Sequence, residues 1–150
     1  MSYKLLVLAI GLVQLIRSAE CGRNLTELRA ANYPPDFLMD LFKNESAVCH
    51  NETYVSEETI VRFRDDEDFE GTQELGCYLF CIFREKNFWI NSRNELHLTK
   101  ALEIVPVDFE QQALKMGLKC LKVKGDDNCA RALWYHNCWK KSSPAHYFLI

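Results

Sequence analysis

The spacing of the cysteines limits this chain more than any other feature. Cys49, Cys77, Cys81, Cys120, Cys129 and Cys138 are separated by 27, 3, 38, 8 and 8 residues, and a seventh cysteine, Cys21, stands apart near the N-terminus. What those thiols become depends on the compartment, and the first residues speak to that. Met1 to Ile16 places Lys4 ahead of the apolar run from Leu5 to Ile16, flanked as a signal peptide is and too short to span a bilayer. The chain is therefore expected to be secreted into an extracellular fluid, with residues 1–21 as the signal and 22–150 as a single domain. Cleavage after Ser18, Ala19 or Cys21 suits the small-residue rule. A cut after Cys21 leaves six cysteines, and an earlier one keeps an odd thiol.

In an oxidising compartment, disulfides are expected ahead of a zinc site. No CxxC…CxxC pairing is present, and Cys77 and Cys81 have neither the two-residue gap nor the βαβ setting of a thioredoxin-like motif. Six cysteines allow fifteen pairings, and spacing does not choose among them. One restriction does follow from helix geometry. Residues at i and i+4 stack on one face, so Cys77 and Cys81 reach different neighbouring helices more easily than each other.

The hydrophobic periodicity is helical throughout. Phe37, Leu38, Leu41 and Phe42 mark a first helix from Pro34-Pro35 to about Cys49, preceded by a loose arm from Cys21 to Asn32. Ser56 caps a second helix over residues 57–64. Leu75, Tyr78, Leu79 and Ile82 stripe a third over residues 72–84. Residues 88–93 read as a loop, and Ser92 to Glu95 as a capping box opening a fourth helix that carries Leu98, Ala101, Leu102 and Val105. Pro106 ends it and starts a fifth, with Phe109, Ala113, Met116 and Cys120 on one side and Gly117 allowing a close approach. Asp126 to Asn128 cap a sixth, in which Cys129, Leu133 and His136 share a face. No run alternates at period two, so the expected class is all-α.

Several functions are excluded or disfavoured. The whole chain carries 18 basic and 21 acidic residues. Removing Lys4, Arg17 and Glu20 with the signal leaves 16 and 20, a net charge of −4 that does not suit a nucleic-acid partner. The acidic run Asp65 to Glu70 lacks the glycine and distal glutamate of an EF-hand and reads as a solvated connector. His50, His97, His136 and His146 are scattered, and neither GxSxG nor HExxH occurs. The chain is not read as an enzyme; a small helical secreted enzyme is the alternative from that class. No cofactor and no metal are expected.

The pattern of one cysteine, then CxxxC, then three cysteines with equal gaps of eight is similar to the six-cysteine insect odorant-binding proteins. Local strings extend the likeness: Tyr33-Pro34-Pro35, Cys77-Tyr78, Cys81 to Glu85, Met116-Gly117, Trp134 to Lys141, and the ending Pro144 to Ile150. These resemble the antennal subfamily of flies and mosquitoes. The resemblance implies six helices around an apolar cavity and pairs Cys49 with Cys81, Cys77 with Cys129, and Cys120 with Cys138. It implies a carrier for a small hydrophobic odorant or pheromone, a chemosensory receptor as a further partner, no membrane span, and a monomer or weak homodimer. Sequestration of lipids or amines outside the senses is the alternative in the same fold.

By the same resemblance, Leu38 and Phe42, then Tyr78, then Leu98, Ala101 and Val105 are expected to contact the ligand. Phe109, Ala113, Leu114, Met116 and Gly117 belong to the same expected set, with His136, facing the cavity beside Leu133, and Trp139. Tyr147 and Phe148 belong to an apolar tail that forms one wall. The buried carboxylate of Ile150 would bond Tyr78, giving closure at neutral pH and opening in acid. Two departures bear on that switch: Ser46 stands where relatives carry a titratable histidine, and Glu45 where they carry an apolar residue. Asn24, Asn44 and Asn51 begin glycosylation sequons.

Overall fold

The computed structural model describes residues 36–90 and 92–149. The signal segment, Cys21, Asn24, the N-terminal arm, the Pro34-Pro35 start and the Ile150 carboxylate lie outside the described residues. Six α-helices occur among the rest: α1 (Asp36–Thr53), α2 (Glu57–Asp65), α3 (Gln73–Glu85), α4 (Leu98–Leu102), α5 (Val107–Lys119) and α6 (Asn128–Ser142). A 3-10 turn, Pro144–His146, leads into the C-terminal segment.

Local chemistry sets most of the helix starts. The side chains of Ser56, Thr72 and Asp127 each accept a backbone N–H from the first turn that follows. Pro106 precedes α5, where its missing N–H is no loss. The first helix runs one turn past Cys49, to Thr53, and the Thr53 hydroxyl donates to the Cys49 carbonyl at 2.8 Å.

The segment between α3 and α4 corrects the sequence reading. Ser92 to Glu95 does not cap a helix: Asn94 turns the chain with φ of 52°, and Glu95–Leu96 (β2) pairs antiparallel with Trp89–Ile90 (β1). Asparagine tolerates that left-handed conformation, which makes the segment a hairpin. Helix α4 then starts at Leu98, where His97 Nδ1 accepts the Lys100 N–H at 3.3 Å, and it ends by Leu102, before Val105.

The disulfides join Cys49 to Cys81, Cys77 to Cys129 and Cys120 to Cys138, as the resemblance implies. They fasten α1 to α3, α3 to α6, and the end of α5 to α6. Each contributes about 2–4 kcal/mol, mainly by constraining the unfolded chain. The centre is the α3–α6 seam, with Leu75, Leu79, Ala132 and Tyr135 buried. Gly76 permits the approach: a Cβ there would sit 2.6 Å from the Cys129 carbonyl oxygen.

A buried lysine closes one end of this core. Lys140 is 3% exposed, and its Nζ donates to the carbonyls of Phe63, Asp66 and Phe69 while lying 4.4 Å from the Phe63 ring centre. Those carbonyls belong to the end of α2 and the acidic connector, so the ammonium satisfies acceptors that a helix C-terminus leaves open.

Candidate ligand-binding site

A cavity of about 230 Å³ lies among α1, α3, α4, α5, α6 and the C-terminal segment. Helix α3 supplies Tyr78, Leu79, Ile82 and Phe83, and α5 supplies Phe109, Gln112, Ala113, Met116 and Gly117. Leu98, Ala101, Leu102, Ile104 and Val105 come from α4 and the turn after it. Phe37, Leu38 and Phe42 of α1 add a rim, and His136 and Trp139 of α6 another side. The final segment, His146 to Leu149, folds back as a further wall.

That tail is held from both sides. Tyr147 is 1% exposed, packs edge-on against Phe63, and shares a 2.9 Å hydrogen bond with His136 Nδ1. Ser143 accepts from Gln112 Nε2 at 2.6 Å and meets His146 Nδ1 at 3.2 Å, linking α5 to the turn that starts the tail. The apolar ending gains by burial instead of fraying, as chain ends otherwise do.

His136 is a buried titratable group of the cavity. Phe83 stacks on its ring at 5.3 Å and Trp139 meets it edge-on at 5.0 Å. Burial away from water disfavours the imidazolium and pushes its pKa down to about 3, so the ring is neutral under ordinary conditions. With Nδ1 engaged by Tyr147, Nε2 is the nitrogen available to a guest.

Fourteen of the fifteen residues expected at the ligand lie on this wall. Leu114 does not: it is 39% exposed, because one step along a helix from Ala113 is a turn of about 100°. Leu133 also departs from expectation. It sits in the α3–α6 seam, 2.8 Å from where a Gly71 Cβ would lie, and leaves the cavity face to His136. Phe37, Ile82, Phe83, Phe88, Leu96, Gln112, His146 and Leu149 line the cavity without having been anticipated as contacts. Phe83 adjoins the α3 stripe, so periodicity marks its neighbourhood. Gln112 is polar, and a search for apolar recurrence passes over it.

Among the described residues, no group of three or more His, Cys, Asp or Glu side chains is placed to hold a metal ion. No helix among them is long and apolar enough to cross a membrane. The family model described as PBP/GOBP matches residues 31–142. The chain belongs to this family of insect odorant-binding proteins.

Among its relatives is general odorant-binding protein 69a of Drosophila melanogaster, 28% identical over 91 residues. The match takes in 61% of this chain and 61% of that relative, so the chain spans less than two thirds of its length. The fold is similar to the crystal structure of a medfly odorant-binding protein, at 25% identity and a TM-score of 0.61, covering 68% of this chain and 87% of that one. A Locusta migratoria odorant-binding protein gives 26% identity and a TM-score of 0.64, with 73% and 84% covered.

Two contacts near the rim of this PBP/GOBP chain involve Ser46 and Glu45. The Tyr78 hydroxyl lies 2.7 Å from Ser46 Oγ, so the serine noted in the sequence holds the phenol proposed to meet the C-terminus. Burial, foremost, raises the Tyr78 pKa. Glu45 pairs with Lys86 at 3.0 Å, and the Lys86 ammonium lies over the Phe42 ring at 5.2 Å. The charge at residue 45 thereby anchors a cavity residue on α1. Asn44 and Asn51 are exposed on α1, although the hydroxyls of their sequons, Ser46 and Thr53, are engaged within the fold.

Proposed function

We propose that this protein is a secreted carrier that reversibly encloses small hydrophobic molecules, odorants or pheromones, and conveys them through aqueous lymph to chemosensory receptors. The observation that supports this reading is the cavity itself: an apolar wall built from five helices and closed on one side by the chain's own tail. A guest that buries about 250 Å² of apolar surface gains roughly 6 kcal/mol before the cost of association. That magnitude favours exchange over permanent capture. No covalent step is involved.

Selectivity in this reading comes from shape and from few polar points. Trp139 offers a ring face to unsaturated guests, Met116 adapts to different outlines, and His136 Nε2 gives one hydrogen bond to a neutral polar group. The Tyr147–His136 bond makes the tail the element through which acid opens the site, with the Ile150 carboxylate as a second contributor.

The test is displacement of a fluorescent apolar probe by candidate odorants. Saturable binding near one probe per chain, competed by odorants without their chemical conversion, is the expected result. Absence of binding, or turnover of the competitor, would remove the carrier reading. Deleting residues 147–150 is expected to weaken binding at neutral pH and to flatten its pH dependence; an undiminished pH dependence would exclude the tail as the switch.

A further inference from the structure

A second, smaller cavity of about 120 Å³ lies directly behind the first. The two share four wall residues, Leu96, Leu98, Gly117 and Trp139. Between them the Leu98 side chain rests on the bare α-carbon of Gly117, so closely that a Cβ at residue 117 would stand 2.5 Å from Leu98 Cδ1. A leucine end is a flexible obstacle, unlike backbone, because it moves between staggered rotamers.

The chemistry of the smaller space differs from that of the larger. Glu95 is its charged wall residue. Tyr135 and Trp139 add two aromatic rings, roughly parallel at 30° with centres 5.8 Å apart. The Tyr135 hydroxyl accepts the Leu96 N–H at 3.4 Å, which fixes that ring beside Glu95. A carboxylate that shares a cavity wall with two aromatic side chains suits an alkylammonium group, by charge first and by cation–π attraction to the rings as well. Arg93 now pairs with Glu95 at 3.3 Å, but its side chain is 71% exposed. An exposed ion pair of that kind is worth little and yields to a guest held in a partly closed space.

We propose that the two cavities form one bipartite site, partitioned by Leu98, for an elongated primary amine whose apolar body fills the larger chamber and whose ammonium lies at Glu95. The proposal rests on the carrier reading and adds the chemical class of the guest. A carboxylic acid of the same length would meet like charge at Glu95.

The experiment compares decylamine with 1-decanol at neutral pH as competitors of the fluorescent apolar probe. The amine is expected to bind about tenfold more tightly, and Glu95→Gln to bring the two within about twofold while the affinity for the probe is kept. Leu98→Ala is expected to raise the affinity ratio of decylamine to hexylamine by about threefold or more, since only the longer chain spans both chambers. Equal binding of amine and alcohol by the wild type, or an amine preference that survives Glu95→Gln, overturns the bipartite site and leaves the carrier reading intact. An unchanged chain-length ratio in Leu98→Ala overturns the partition. Failure of the probe itself to bind overturns both readings.

Discussion

Gly76 and Gly117 are both helical glycines with no room for a methyl group, yet they belong to different kinds of structure. At Gly76 the obstruction is main chain, the Cys129 carbonyl oxygen at 2.6 Å, in a seam that a disulfide locks one residue away. At Gly117 the obstruction is the end of a leucine side chain at 2.5 Å, on a wall shared by two cavities. One helix pair, α3 with α6, is fixed by backbone contact and covalent linkage. The other, α4 with α5, is held by side chains that can rearrange. A carrier needs both: a frame that does not move and a wall that admits guests of different outline.

The largest expected effect tests the frame. Gly76→Ala forces α3 and α6 apart against the Cys77–Cys129 bridge and should cost about 3 kcal/mol, the upper end for overpacking a core. Chemical denaturation measures it directly. A loss below about 1 kcal/mol would mean that the seam yields, and the contrast between the two glycines would lose its basis.

The next effect is set by protons. His136 has an ordinary value of 6.5 and is pushed by burial to about 3 in the fold. The unfolded chain therefore binds a proton that the folded chain refuses between those values. Stability is complete above pH 6.5 and declines as pH falls toward 3, by at most about 1.4 kcal/mol per pH unit. Surface carboxylates add little to the upper part of this window. Glu52, bonded to Arg84, and Glu70, bonded to Lys141, are both held below their usual 4.5. Urea denaturation at pH 7 and pH 5 should then differ by about 2 kcal/mol in the wild type and much less in His136→Gln. Equal pH slopes in the two proteins would show that His136 does not carry the effect. The rings nearest His136, those of Phe83, Trp139 and Tyr147, join the frame to the tail, so this titration acts on both at once.

How much of this was legible in the sequence follows the same division. The frame was legible because its signals are discrete: the caps at Ser56 and Asp127 and the Pro106 break each act over a few residues, and the cysteine pattern carried the resemblance that implied the pairing. The turn at Ser92 to Glu95 was misread because a capping box and a hairpin share polar residue types, and only the left-handed Asn94 separates them. The apolar stripes were legible as core, and only the family resemblance turned them into a cavity wall, without its edges. Leu114 failed by one step of helix rotation, and Gln112, Leu96 and Glu95 took their places through tertiary packing that no local period encodes. The smaller cavity had no sequence signal at all, because Tyr135, Leu98 and Leu121 meet there from three separate elements.

The smallest effect on stability should carry the most information about binding. The three atoms nearest a methyl group at residue 117 are Leu98 Cδ1, Cδ2 and Cγ, so a change of leucine rotamer relieves the closest contacts of Gly117→Ala. The added methyl also lowers the intrinsic cost of glycine in a helix, and the net change in stability should stay within about 1 kcal/mol. Binding responds differently, since the displaced leucine must enter one of the two chambers. Probe affinity should change by about threefold or more, which corresponds to less than 1 kcal/mol and is readily measured by titration. A variant as unstable as Gly76→Ala would place α5 in the rigid frame. One with unchanged stability and unchanged affinity would show that Leu98 does not border the occupied space.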